Sequence, residues 1–283
     1  VGKTTAMAAG ASVWGNPEDL IIHERDTYNT KMNRGEIYHN LPLYMDELTN
    51  AKGKELSNLA YQLTGGRQRG RMAASSNAER YRGEAWSLIS VSTGNTSLIE
   101  TINMIKAMPK AEAQRIMECR VKKMYFDTKE ETDVFSTCLQ NNYGHAGEVY
   151  VQYVMNNLDE VKRIFQSVQT AVDKKAGLTA ENRFWSVLVA STITGLMLAK
   201  RAGLITYDTK KIFAWAIERL KENKRQVEDM SISVEETLND YIHEHWSNVL
   251  WIKSTDDLRK QEGGVTELVI PEANARIKLV ARY

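Results

Sequence analysis

Residues 41–48, Leu-Pro-Leu-Tyr-Met-Asp-Glu-Leu, are an apolar run that stops at two adjacent acids. The run reads as a buried strand. An unpaired carboxylate at the end of a buried strand is costly, so Asp46 and Glu47 call for a partner. One reading makes them the cap of a helix beginning near Thr49. The other looks upstream, where the chain opens Val1-Gly2-Lys3-Thr4-Thr5 and continues AMAAGASVW to Trp14. Gly2-Lys3-Thr4-Thr5 repeats the second half of the phosphate-binding pattern G-x-x-x-x-G-K-[ST]. The Ala- and Met-rich residues after it, free of proline until Gly15-Asn16-Pro17, predict a buried helix that starts at Lys3.

Together the two stretches specify a chemistry. The N–H groups at a helix N-terminus bind phosphate. In that setting Lys3 reaches the β- and γ-phosphates of ATP and the Thr4 hydroxyl holds Mg²⁺. Asp46 helps position the metal, and Glu47 polarises an attacking water. The first half of the loop and an initiating Met do not stand before Val1, which reads as truncation of a longer chain.

Between those two stretches, Leu20–His23 predicts a strand and Tyr28–His39 a polar helix. Helical spacing returns at Glu55–Leu63. Trp86–Ser92 (WSLISVS) predicts a second buried strand, Leu98–Lys106 and Ala111–Arg115 helices, and Ile116–Val121 a third strand. Alternation of helix and strand to about residue 125 argues for a mostly parallel sheet. Beyond Thr132 the pattern is helical over Asp133–Asn141, Gly144–Asn157, Leu158–Lys175, Ala180–Ala202 and Thr209–Asp229. The tail predicts a helix at Val234–Glu244 and short strands at Val249–Lys253, Thr266–Pro271 and Arg276–Val280. A helix followed by a small β-ribbon is winged-helix-like. The expected division is therefore a core at 1–127, a helical lid at 128–230 and a small α+β module at 231–283.

Composition narrows the classes. The 283 residues are 42% hydrophobic and 26% charged, as in ordinary globular proteins. A net charge of +1 exerts no global pull on nucleic acid, so any such contact needs a local basic patch. The longest apolar run, Val187–Ala199, falls short of the roughly 20 residues of a membrane span and reads as a core helix. Cys119 and Cys138 lack metal-type spacing and read as free, buried thiols in a reducing compartment.

Further candidates follow by position. Asn95, after the strand WSLISVS, either orients the water and γ-phosphate or is a turn residue. Arg115 either reaches a neighbouring subunit's nucleotide or solvates a helix end, with Arg120 next in line. Arg183 either senses the γ-phosphate or packs on Trp185. Gly65–Arg82 carries Arg67, Arg69, Arg71, Arg80 and Arg82 against the single acid Glu79. Arginines on a loop suit sequence-independent phosphate contact; pairing with a neighbouring subunit's acids is the other reading. Thr27 and Asn29 receive no role. His243 and His245 show no metal spacing, and Trp246 and Trp251 read as core of the tail module.

The order of GKTT, strand-Asp46-Glu47, strand-Asn95 and Arg115 resembles the AAA+ and superfamily 3 class of P-loop helicase ATPases. Over roughly residues 1–222, stretches such as LYMDELTNA, LAYQLTGGRQRGR, WSLISVSTGNTSL and NRFWSVLVASTITGLMLAKRAGLI resemble helicase-like replication ATPases of phages and mobile elements. The resemblance implies a P-loop NTPase fold with ATP and Mg²⁺ as cofactors. It implies a homo-oligomeric ring, usually a hexamer, with sites shared between subunits. It further implies single-stranded or forked DNA gripped by the loop before the Asn-bearing strand, and a bacterial or phage-infected host cytoplasm. Competing readings are a switch or loader that remodels a replication complex without unwinding, and a DNA-binding scaffold with a decayed ATP site.

Overall fold

The computed structural model describes residues 2–23, 25–48, 53–70, 72, 78–79, 83–105, 110–120, 126, 128–229, 241, 250–252 and 278–280. They form a mixed α/β fold in which helices far outweigh a small parallel sheet. Its strands are β1 (Ile21–Ile22), β2 (Leu43–Met45) and β3 (Ser90–Ser92), in the order β1-β2-β3. Ile22 pairs with Met45, and Leu43, Tyr44 and Met45 pair with Ser90, Val91 and Ser92.

β2 is buried on both faces, as its unbroken apolar run requires in a parallel sheet. Leu43 and Met45 point into a core with Leu56, Leu59, Trp86 and Ile102. Tyr44 points the other way, onto Met7 and Ala11 of α1 (Lys3–Ser12). Each of the buried Leu, Ile and Met side chains contributes on the order of 1.5–3 kcal/mol by burial. Helix α2 (Pro17–Leu20) leads from α1 into β1, α3 (Tyr28–Tyr38) joins β1 to β2, and α4 (Gly53–Gly65) with α5 (Leu98–Asn103) covers the Leu43 side. Local chemistry fixes their starts: Thr27 accepts from Thr30 N and Ser97 from Glu100 N as N-caps.

After α6 (Lys110–Ala113) come α7 (Lys129–Asn141), α8 (His145–Asn156), α9 (Leu158–Ala176), a 3-10 turn at Ala180–Asn182, α10 (Arg183–Arg201) and α11 (Thr209–Asp229). α9, α10 and α11 share a core centred on Val172, Trp185, Val189, Ile193 and Leu220. Val187–Ala199 lies inside α10, as its composition predicts, and no described helix is long and apolar enough to cross a membrane. Val1–Met230 forms one compact unit and Ser231–Tyr283 another. In the second, β4 (Leu250–Ile252) pairs in parallel with β5 (Lys278–Val280). The expected helix at 234–244 apart from Tyr241, the strand at 266–271, and His243, His245 and Trp246 lie outside the described residues.

Several expectations are corrected. Of WSLISVS, only Ser90–Ser92 is strand, and it is exposed; residues 86 and 87 instead bond back to Gly66 and His39. α1 is buried along one face, at Met7 and Ala11, and not all round. Cys119 and Cys138 are free, as expected, but exposed. The apolar stretch from Ile116 carries no strand over 116–120. Side chains there replace a neighbouring strand. Asn223 accepts from Glu118 N (2.9 Å) and donates to Glu118 O (3.0 Å), and Trp185 Nε1 donates to Ile116 O (2.8 Å). A side-chain amide offers the same donor and acceptor as a peptide, so the connector is satisfied without a ladder.

Candidate functional site at the carboxyl ends of β2 and β3

The N-terminus of α1 lies against the residues that follow β2 and β3. Gly2 precedes the helix with φ 87°, a left-handed conformation open to glycine. No side chain caps α1 and no acid occupies its own first turn, so no residue of the helix itself satisfies its leading N–H groups or offsets its positive dipole end. Lys3 Nζ donates to Gly94 O and to Asn95 Oδ1, each at 2.6 Å. Thr4 Oγ1 approaches both oxygens of Asp46, at 3.3 and 3.4 Å. Four residues named from sequence, Lys3, Thr4, Asp46 and Asn95, are thus brought together by contacts that span the sheet. Thr5 is half-buried in the first turn of α1.

Glu47 is exposed and adopts φ 53°, uncommon for a residue with a side chain. Its N–H donates to Asp46 Oδ1 (3.1 Å) and to Thr93 Oγ1 (3.4 Å). Thr93 Oγ1 in turn donates to Asp46 Oδ1 in a very short contact. Thr93 was missed in the sequence, where it reads as an ordinary residue after a strand. The available signal was its place in Ser92-Thr93-Gly94-Asn95, at the end of the strand neighbouring the acids. Among the described residues no three His, Cys, Asp or Glu side chains gather as a metal cluster. One carboxylate beside one hydroxyl instead suits Mg²⁺, which keeps waters and takes phosphate oxygens as further ligands.

The remaining candidates lie elsewhere. Arg115 is half-buried, stacked on Tyr61 (4.4 Å) and Phe184 (4.8 Å), and donates to Thr64 Oγ1 (3.1 Å) and Ala111 O. Arg120 is exposed and pairs with Glu100 at 3.4 Å. Arg183 is exposed and lies over Phe184 (5.0 Å), not over Trp185, which is fully buried.

In the arginine-bearing segment, Arg67 is exposed and Arg69 donates to Asn58 Oδ1 (3.1 Å). Arg71, Arg80 and Arg82 lie outside the described residues. Met72 and Glu79 form an isolated antiparallel bridge. Either side of it, one carboxylate ties Gln68 to Glu84, since Glu36 accepts from Gln68 Nε2 (2.8 Å) and from Glu84 N (3.0 Å).

Residues 1–83 match a family described as a domain of unknown function, DUF927. A search of curated proteins returned no significant match. Among solved structures the chain is similar to one described as "SCCmec type IV Cch - active helicase", with a TM-score of 0.63 and 19% identity over 90% of this chain and 47% of that one. The chain therefore spans about half the length of that structure, and what the two share is the fold.

Proposed function

We propose that this chain is an ATP-hydrolysing motor of the P-loop, AAA+/superfamily 3-like class, acting as a DNA helicase or translocase in phage or mobile-element replication. The observation that carries the reading is the convergence of Lys3, Thr4, Asp46 and Asn95 at the N-terminus of α1 and the carboxyl ends of β2 and β3. Ligands of open α/β sheets bind outside the carboxyl ends of the strands. The fold likeness to a chain described as an active helicase supports the same class.

The residues present fit Mg-ATP. The uncapped N–H groups of α1, from Gly2 through Thr5, receive phosphate oxygens, and the Lys3 ammonium exchanges Gly94 O and Asn95 for the β- and γ-phosphates. Bound magnesium supplies neutralisation of phosphate charge, and Thr4 Oγ1 with Asp46 would hold it. Glu47 accepts the proton of the attacking water, and Asn95, released by Lys3, orients that water against the γ-phosphate. Arg115 serves the neighbouring subunit of a hexameric ring, its guanidinium held in one plane by Tyr61 and Phe184. Arg183, at the start of α10, is the lid's contact to nucleotide. Arg67, Arg69, Arg71, Arg80 and Arg82 contact the phosphates of single-stranded or forked DNA. The bonding of Arg69 into α4 favours a second reading, a switch or loader that remodels a replication complex without gripping DNA there.

Glu47→Gln tests the motor. It should abolish ATP turnover while nucleotide binding persists; equal turnover in the variant, or none in the wild type, sinks the reading. Replacing Arg67, Arg69 and Arg71 together by Ala separates the two versions. Loss of DNA-stimulated turnover supports the translocase, and unchanged stimulation supports the loader.

A further inference from the structure

We infer that Thr93 is a positioning residue for both acids of the site, a role that rests on the ATPase reading above. Its backbone straddles the end of β2: Thr93 N donates to Met45 O and Leu48 N donates to Thr93 O, each at 3.2 Å. Those two bonds bracket Asp46 and Glu47. The half-buried side chain then reaches each acid by a different route. Its hydroxyl proton goes to Asp46 Oδ1, and its oxygen accepts the Glu47 N–H at 3.4 Å.

The bonds load one oxygen of the Asp46 carboxylate. Oδ1 takes the Thr93 hydroxyl and the Glu47 N–H at 3.1 Å. The Thr4 hydroxyl lies almost equidistant from the two oxygens, 3.3 Å from Oδ2 and 3.4 Å from Oδ1. A hydroxyl has one proton to give, and Thr93 has spent it on Oδ1. Oδ2, which takes neither of those two bonds, is thereby the oxygen offered to a cation beside Thr4, and rotation of the carboxylate breaks the Thr93 bond. Outer partners of this kind orient metal-binding carboxylates and raise their effectiveness. At Glu47 the effect is on the backbone. A side-chain-bearing residue at φ 53° is held there by its N–H bonds, of which Thr93 supplies one. Turning Glu47 back to a common conformation would aim its carboxylate elsewhere.

Thr93→Val keeps the shape of the side chain and removes both hydrogen-bonding functions; Thr93→Ser keeps the hydroxyl and removes the methyl. Three quantities are read for each: kcat and KM for ATP, the Mg²⁺ concentration at half-maximal binding of a fluorescent ATP analogue, and the urea midpoint. Thr93→Val should lower kcat and raise the Mg²⁺ midpoint by about tenfold or more, the range seen for outer-shell changes. Binding of the analogue without Mg²⁺, which depends on Lys3 and α1, should stay within about twofold, because those contacts do not involve Thr93. Thr93→Ser should restore both parameters. An unchanged kcat and Mg²⁺ midpoint in Thr93→Val overturns the inference. So does Thr93→Ser as impaired as Thr93→Val, since the methyl contact would then be what matters. If Thr93→Val fails to fold, Thr93→Ala against Thr93→Ser gives the same comparison. A wild-type chain with no Mg²⁺-dependent nucleotide binding overturns the ATPase reading itself, and this inference with it.

Discussion

Gly147→Ala probes the joint that carries α1, and its cost can be worked from the structure. Val13, after the last turn of α1, has a carbonyl with no helical partner, and Gly147 N donates to it at 2.9 Å. Gly144 N does the same for Ser12 O at 2.8 Å, so the C-terminal end of α1 sits on the N-terminus of α8. Trp14 crosses the joint and meets Tyr150 edge to face, with ring centroids 6.2 Å apart. A Cβ added to Gly147 would lie 2.5 Å from Val13 O and 3.1 Å from the Trp14 ring. The nearer neighbour is backbone, which cannot swing aside as a side-chain tip can. Overpacking of this kind costs about 1–3 kcal/mol. If the helices part instead, two hydrogen bonds of about 1 kcal/mol each are weakened. Against either route stands a helix-propensity gain of at most about 1 kcal/mol from removing glycine. The net loss is centred on about 1 kcal/mol, which lowers Tm by roughly 2–4 °C for a unit of this size. The assay is thermal unfolding by circular dichroism, with Gly65→Ala as comparator. Gly65 ends α4 with no heavy atom within 4 Å of an added Cβ, so that change should be neutral or slightly stabilising. Equal Tm values for the two variants would refute the packing of α1 on α8.

Asn223→Ala removes both of its bonds to the Glu118 backbone and should cost about 1–3 kcal/mol, from two half-buried groups that lose them; a urea midpoint unchanged from wild type would count against it. Glu36→Ala frees Gln68 Nε2 and Glu84 N together, so trypsin should cut between Arg67 and Glu84 faster while Tm moves little; equal rates in both proteins would contradict the clamp. Burial pushes the Tyr44 phenol up to about 12 from 10, against a smaller lowering by its hydrogen bond with Trp14. The folded state therefore holds that proton more tightly, its contribution is complete below pH 10, and it is lost as pH rises toward 12. Tyr44→Phe should lose less stability than wild type between pH 10 and 12 in urea melts, and parallel curves would dismiss the assignment. Lys3→Met removes two charge-assisted bonds to the end of β3 and the proposed phosphate contact, so binding of an ATP analogue should weaken by at least about tenfold, the factor of a single 1.4 kcal/mol interaction. Retained affinity would detach Lys3 from the nucleotide.

What the sequence determined alone is what neighbours along the chain determine. The 3.6-residue spacing of apolar side chains marks α9, α10 and α11, with their junctions set by Gly177 and the turn before Thr209. The unbroken Leu43–Met45 run marks a strand covered on both sides, and GKTT marks a helix start. The residues of the candidate site were nameable because each sits at the end of such an element. Their arrangement was not. Parallel register sets Met45 opposite Ser92, and that pairing carries Thr93 to Asp46 and Asn95 to Lys3. The same limit explains Ile116 to Arg120. The residues have strand-like character, yet their partners are Asn223 and Trp185, far along the chain. Local periodicity reports which face of an element is apolar, whereas hydrogen-bond partners across the fold depend on which elements end up adjacent. Only the packed sheet and helices decide that, and here they turn an unremarked threonine into the contact that joins both acids.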